Sequence, residues 1–160
     1  MSTEIERKFR LSEAPEWLGD HDSVRIEQGY LAIEVGDGAE VRLRRKGSET
    51  LLTVKRGSGR IRDEEEIEVS AQQFEALWPL TEGRRLAKVR YLVPHDTSTI
   101  EVDVFEGDLG ELVTGEVEFE SEAASDEFEP PDWLGEEVTG DLRFANETLA
   151  VDGLPEKGDS

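Results

Sequence analysis

With 160 residues, 36% of them hydrophobic, the chain has material for one core and not for a second. The absence of cysteine excludes a disulfide framework, a thiolate metal site and a cysteine nucleophile. A net charge of −21, from 39 acidic and 18 basic residues, opposes binding to nucleic acid or to an anionic membrane.

No run of about 18 apolar residues is present to cross a membrane as a helix. Charged and apolar residues already alternate through 2–10, so no leader is expected, and the chain is read as one cytoplasmic domain over 1–154 with a loose tail over 155–160. Alternation with the strand period of two continues through most of the sequence. Strands are predicted at 3–10, 24–33, 40–46, 50–56 and 62–69, punctuated by Gly36-Asp37-Gly38, Lys46-Gly47-Ser48 and Gly57-Ser58-Gly59. Ser70 is placed to cap a helix over 71–78, where Phe74, Leu77 and Trp78 share a face and Pro79 ends the run. Strands at 87–93, 99–105 and 115–120 follow, the first two joined through Pro94-His95-Asp96. A second helix starts at Ser121, and Glu129-Pro130-Pro131-Asp132 imposes an extended break. A terminal helix is expected over 142–149, with Leu142, Phe144 and Leu149 serving either to pack or to gate one end of the fold.

The charges on these strands are largely sorted by sign, strand by strand. Glu4, Glu6, Lys8 and Arg10 share one face of the first strand, Arg42 and Arg44 of the third, Thr53 and Lys55 of the fourth, and Glu64, Glu66 and Glu68 of the fifth. Lys88 with Arg90, Glu101 with Asp103, and Glu116 with Glu118 and Glu120 follow on the last three. One such pair is ordinary for a solvated strand face; seven sorted runs are not. The opposite faces carry Ile5, Val41, Leu43, Leu52, Val54, Ile67, Val102 and Val117, which need a covering that the few helices supply only in part. Closing about eight such strands into a barrel sets cationic against acidic walls across a lumen. That arrangement suits a polyphosphate carrying a divalent metal, because Arg and Lys neutralise phosphoryl oxygens while clustered carboxylates hold Mg²⁺.

The opening Glu4-Ile5-Glu6-Arg7-Lys8 resembles the E-x-E-x-K signature of the CYTH superfamily, the triphosphate tunnel metalloenzymes. Gln28-Gly29-Tyr30-Leu31, Val41-Arg42-Leu43-Arg44, Thr53-Val54-Lys55, Lys88-Val89-Arg90, Glu101-Val102-Asp103 and Glu116-Val117-Glu118 stand in that family's order. The closing 133–139 and 144–146 segments resemble its short bacterial members. The resemblance implies an α+β, mainly β fold: an eight-stranded antiparallel closed β-barrel with a few flanking helices. It implies Mg²⁺ or Mn²⁺ as cofactor, held by Glu4, Glu6, Asp103, Glu116 and Glu118. It assigns the phosphates to Lys8, Arg42, Arg44, Lys55 and Arg90, with Tyr30 either touching the phosphate chain or packing at a strand bend. Lys88 matches the residue that helps activate the attacking water, and Glu6 and Lys8 join it as the catalytic set. His21 and His95 fall in turns and are read as bystanders, and Arg7 as an outer-face contact.

The expected reaction is hydrolysis of inorganic triphosphate to diphosphate and phosphate. Thiamine triphosphate or cyclisation of ATP would need an aromatic or hydrogen-bonding subsite that so short a chain does not obviously carry. A silent polyphosphate- or nucleotide-binding module is the alternative of another class, disfavoured because the carboxylates at 4, 6, 116 and 118 are all present.

Overall fold

The computed structural model describes residues 2–34, 38–57 and 59–155; Gly36, Asp37 and Ser58 of the expected turns, and 156–160 of the expected tail, lie outside them. Eight long strands form where the alternation places them: β1 (Ser2–Leu11), β2 (Ser23–Glu34), β3 (Ala39–Lys46), β4 (Glu49–Arg56), β5 (Ile61–Glu68), β6 (Arg85–His95), β7 (Ser98–Phe105) and β8 (Val113–Phe119). Neighbours pair in the order β5-β4-β3-β2-β6-β7-β8-β1, and a β1–β5 pairing closes the sheet on itself into an antiparallel barrel.

The closing seam is short. Only Ser2–Ile5 of β1 pair with β5, opposite Glu64–Ile61. Further along the same edge, the Glu6 N–H donates to the Arg60 carbonyl at 2.8 Å and the Val138 N–H donates to the Lys8 carbonyl at 2.8 Å. Phe9 and Arg10 then pair with a two-residue strand, β9 (Glu136–Glu137). The C-terminal segment therefore completes the wall that β5 leaves open. Gly135 permits this approach, since a Cβ there would strike the Arg10 carbonyl.

Among the described residues three short α-helices flank the barrel. Ser70 and Gln73 form a capping box on α1 (Ala71–Leu77), and Ser121 caps α2 (Glu122–Glu127). Pro79 ends α1 without ending the helical path, because it enters the first turn of a 3₁₀ segment, Trp78–Thr81, where its missing N–H costs nothing. The turn expected at Pro94-His95-Asp96 lies later: β6 runs through His95, and Asp96 takes the left-handed conformation with φ 52°. Pro94 is tolerated because β6 has run beyond its pairing with β2, which ends at Tyr91. The single helix expected over 142–149 is two pieces, a 3₁₀ turn at Leu142–Phe144 and α3 (Asn146–Asp152), broken at Ala145 with ψ 138°. The break has a cause: the Phe144 carbonyl accepts from Lys8 Nζ at 2.6 Å instead of from a helical N–H.

The apolar core sits in two places. Outside the barrel, Phe9, Leu11, Val102, Val113 and Val117 pack beneath Phe128, Trp133 and Leu134. A second cluster, Leu86, Phe105, Leu109, Leu112, Val138, Phe144 and Leu149, fills one end of the barrel under α3. The outer face of β4 and β5 keeps Val54 and Ile67 exposed, so the covering is partial as the scarcity of helices required. His21 and His95 pack edge-on against Trp17 and Phe128. Arg7 faces outward and ties β1 to Glu137 and to the Ser125 and Phe128 carbonyls. Among the described residues no helix is long and apolar enough to cross a membrane.

Candidate functional site

Strand parity carries the sorted charges into the barrel. The inward set of β1, Glu4, Glu6 and Lys8, faces those of β3 (Glu40, Arg42 and Arg44), β4 (Thr53 and Lys55) and β5 (Arg62, Glu64 and Glu66). A cavity opens beside β1, lined by Glu6, Lys8, Arg42, Lys55 and Glu116, with Glu40 and Arg62 beside them. The C-terminal segment roofs it through residues 138–142 and 145–147.

The cavity's two charged sides are left incomplete by the protein. Glu6 and Glu116 lie directly against each other, and Glu6 Oε2 is buried without a hydrogen-bond partner. Burial and the Glu116 carboxylate push Glu6 far up from the ordinary carboxyl value, whereas Glu116, despite its own burial, is held low by the hydrogen bond from Glu6 and the charge of Lys8. The pair thus retains one proton between them when no cation is there to replace it. Across the space, Arg42 is 3% exposed and its Nε is also without a partner. Its Nη2 reaches Thr53 Oγ1 at 3.4 Å and Glu66 Oε2 at 3.9 Å.

Lys55 Nζ lies 3.0 Å from Glu4 Oε2 and 3.9 Å from Glu64 Oε1. Burial raises Glu4, but the hydrogen bond with Glu64 and the Lys55 ammonium outweigh it and hold Glu4 low; burial and Glu4 in turn push Glu64 up to about 7. Lys8 lines the cavity with its ammonium on the Phe144 carbonyl.

Behind the cavity lies a second, buried layer that does not line it. Arg90 donates to both oxygens of Asp103, at 2.9 and 3.0 Å, and Lys88 Nζ lies 2.7 Å from Asp103 Oδ2. Burial pushes Lys88 down to about 7, helped by Arg90 and Arg44 and opposed by Asp103. Asp103, itself buried, is held well below the usual carboxylate range by Arg90 and Lys88. Arg44 donates twice to Gln28 Oε1, at 3.0 and 2.7 Å, and Gln28 Nε2 donates to the Tyr30 hydroxyl at 2.8 Å. Burial beside Arg42 and Arg90 lowers Arg44 to about 9, and burial raises Tyr30.

The expected residues therefore fall into three groups. Glu6, Glu116, Lys8, Arg42 and Lys55 meet at the cavity, with Glu4 adjoining through Lys55. Lys88, Arg90, Arg44, Asp103 and Tyr30 form the closed layer behind it, Asp103 engaged as counter-ion to two cations and Tyr30 in packing and hydrogen bonding. Glu118 lies at a rim with Glu101, raised by burial and by that neighbour. Sequence reading missed Glu40, Arg62, Gln28, Asn146 and Glu147. Parity alone could have found Glu40 and Arg62, which share faces with Arg42 and Glu64.

Among the described residues no three His, Cys, Asp or Glu side chains gather closely enough to hold a metal by themselves. The Glu6–Glu116 pair nevertheless fits a small divalent cation. Mg²⁺ is commonly held by one or two carboxylates and completes its shell with water and phosphate oxygens, and such an ion would give Glu6 Oε2 the partner it lacks.

A CYTH domain model matches residues 2–153. The chain is 48% identical over 151 residues to an inorganic triphosphatase of Nitrosomonas europaea, an alignment spanning 93% of this chain and 97% of the relative. It is 37% identical over 150 residues to one from Acetivibrio thermocellus, spanning 93% and 94%. The crystal structure of an inorganic triphosphatase superposes with a TM-score of 0.69 at 44% identity, covering 94% of this chain and 99% of that one. A Pyrococcus horikoshii protein shares the fold at 20% identity, with a TM-score of 0.57 over 77% of this chain and 83% of that one. A barrel with this strand order and a charge-lined cavity, matched over nearly its full length, places the chain in the CYTH family.

Proposed function

We propose that this protein is a metal-dependent hydrolase of inorganic triphosphate. The observation that carries the reading is the pair of unmet demands in one cavity: a carboxylate pair short of a cation at Glu6 and Glu116, and an arginine short of an acceptor at Arg42. A phosphate chain with a bound divalent ion answers both. Among the described residues lining the cavity none is aromatic, so nothing there stacks on a thiamine or adenine ring, which favours the inorganic chain.

Glu6 and Glu116 would hold Mg²⁺ or Mn²⁺, with Glu4 adjoining. The ion, when bound, supplies positive charge against phosphoryl oxygens. Lys8, Arg42 and Lys55 bind and orient the chain, and the roof formed by 138–147 limits access of bulk water. Lys88 Nζ, brought near neutrality by its burial, can take up a proton at working pH. It reaches the cavity through Asn146, whose Oδ1 accepts from Lys88 at 3.4 Å and which lines the open space.

Phosphate release from inorganic triphosphate, thiamine triphosphate and ATP, compared with Mg²⁺, Mn²⁺ or chelator, tests the reading. Metal-dependent preference for inorganic triphosphate is expected. Undiminished turnover in chelator, or cyclic AMP from ATP as the main product, overturns it.

A further inference from the structure

Where α3 meets the barrel, two carboxylates share one arginine. Glu40, at the start of β3, is 3% exposed and has its Oε1 3.1 Å from Arg62 Nη1. Arg62 acts on Glu147 through its charge, while its hydrogen bonds go elsewhere: its Nε donates to the Gly57 carbonyl at 2.9 Å and its Nη2 to the Gly38 carbonyl at 3.0 Å. Glu147, in the first turn of α3, hydrogen-bonds the Glu40 side chain, and Glu40 Oε2 has no other donor within reach. Two carboxylates can meet in this way only if one of them carries a proton.

We infer that Glu40 and Glu147 form a carboxyl–carboxylate latch, in which one shared proton holds α3 and the segment before it over the cavity. The other charged groups around α3 do not substitute for that proton. From β2, Tyr30 offers a hydroxyl that stays protonated. From β6, Lys88 reaches Asn146, while Arg84, just before that strand, is engaged with the Tyr30 and Leu80 carbonyls. In the preceding 3₁₀ turn, Asp141 and Arg143 pair with each other at 2.7 Å. Lys55 lies opposite Glu40 across β3 and β4 but is turned to Glu4.

The direction of control follows from burial and from Glu40, which raise Glu147 from 4.5 to about 7 in the closed state. Below 4.5 both the closed and the open states carry the proton and closure is strongest. Between 4.5 and about 7 only the closed state keeps it, so closure weakens as pH rises through that window; above it neither state carries the proton and the dependence ends. The full span corresponds to roughly two orders of magnitude in the closing equilibrium.

Hydrogen–deuterium exchange of the α3 amides, corrected for intrinsic rates and referred to the β6–β7 amides, tests the latch on the whole chain without ligand. In the unaltered protein, α3 protection should fall by ~30- to 300-fold between pH 4.5 and 7 and level off above. In Glu147→Gln, whose amide donates at every pH, protection should stay at the low-pH level. In Glu147→Ala, which has no donor, it should be low throughout. Flat protection in the unaltered protein over that window, or the same slope in either variant, overturns the latch. The readout is backbone exchange, so the result is independent of which triphosphate is hydrolysed.

Discussion

Asp103→Asn separates two jobs for one carboxylate. In the folded chain Asp103 is 1% exposed and neutralises Arg90 and Lys88 through three contacts between 2.7 and 3.0 Å. The amide keeps the shape and removes the charge, leaving Arg90 with Glu101 alone at 3.2 Å and Lys88 with no anion. Breaking a buried pair by removing one partner costs roughly 3–5 kcal/mol. Lys88 can shed its proton near neutrality, which limits the loss to the lower end of that range. For a 160-residue domain each kcal/mol moves the melting midpoint by roughly 2–4 °C, so a fall of about 10 °C is expected in chelator. Inorganic triphosphate added in chelator, where nothing turns over, should restore more of the midpoint in the variant than it adds to the wild type, because a polyanion in the adjoining cavity offsets part of the uncompensated positive charge behind it. If Asp103 were only a metal ligand, its neutralisation would leave the metal-free protein as stable as before or more so. A metal-free midpoint at or above that of the wild type refutes the counter-ion assignment.

Glu6→Gln should keep a donor to Glu116 without needing the proton that Glu6 holds, and leave the metal-free melting midpoint unchanged or raised, while metal-dependent phosphate release falls by at least ~100-fold. The same pair sets a pH trend. Because Glu6 is raised, the folded protein keeps a proton that the unfolded chain releases above 4.5, so the pair's contribution to metal-free stability declines as pH rises from there, and the stabilisation given by Mg²⁺ should grow, as melting curves over pH 5 to 9 will report. Lys8→Ala loses a phosphate contact together with the bond to the Phe144 carbonyl; steady-state kinetics should show KM up by roughly tenfold or more with the fold retained. Arg7→Ala, on the outer face, should cost on the order of 3 kcal/mol in urea denaturation by taking this donor from the Ser125 and Phe128 carbonyls and leaving Glu137 with Thr139, while kcat of the folded fraction is unchanged.

The barrel was legible because a charged lumen writes a strict period of two into every strand, and β1 through β8 follow it to within about two residues at most ends. Elements too short to show a period, such as β9 and the 3₁₀ turns at Glu16–Asp20 and Gly107–Leu109, left no such trace. The cavity set was legible for the same reason, since parity aims Glu6, Lys8, Arg42, Lys55 and Glu116 inward. Register was harder. A turn centred on His95 would have set Arg90 opposite Ile100, whereas the actual turn at Asp96-Thr97 sets it opposite Asp103 and makes that residue a counter-ion. Asn146 and Glu147 were hidden because Phe144 and Leu149, around them, signal packing, and nothing local to a short helix tells which polar neighbour meets a strand as distant in sequence as β6 or β3.

The division of the β1 edge between β5 and the C-terminal segment has a consequence for how the chain is made. β1 is the earliest of these strands to leave the ribosome, yet one stretch of its edge finds its hydrogen-bond partner only in Val138 and β9. Until that segment emerges, the nascent barrel has an open seam with unpaired backbone groups beside a strand bearing Phe9 and Leu11, the kind of edge that recruits other chains. Synthesis halted after β8 should therefore yield a sticky, unsealed sheet, and the same few residues that roof the cavity in the finished protein also end its exposure to aggregation.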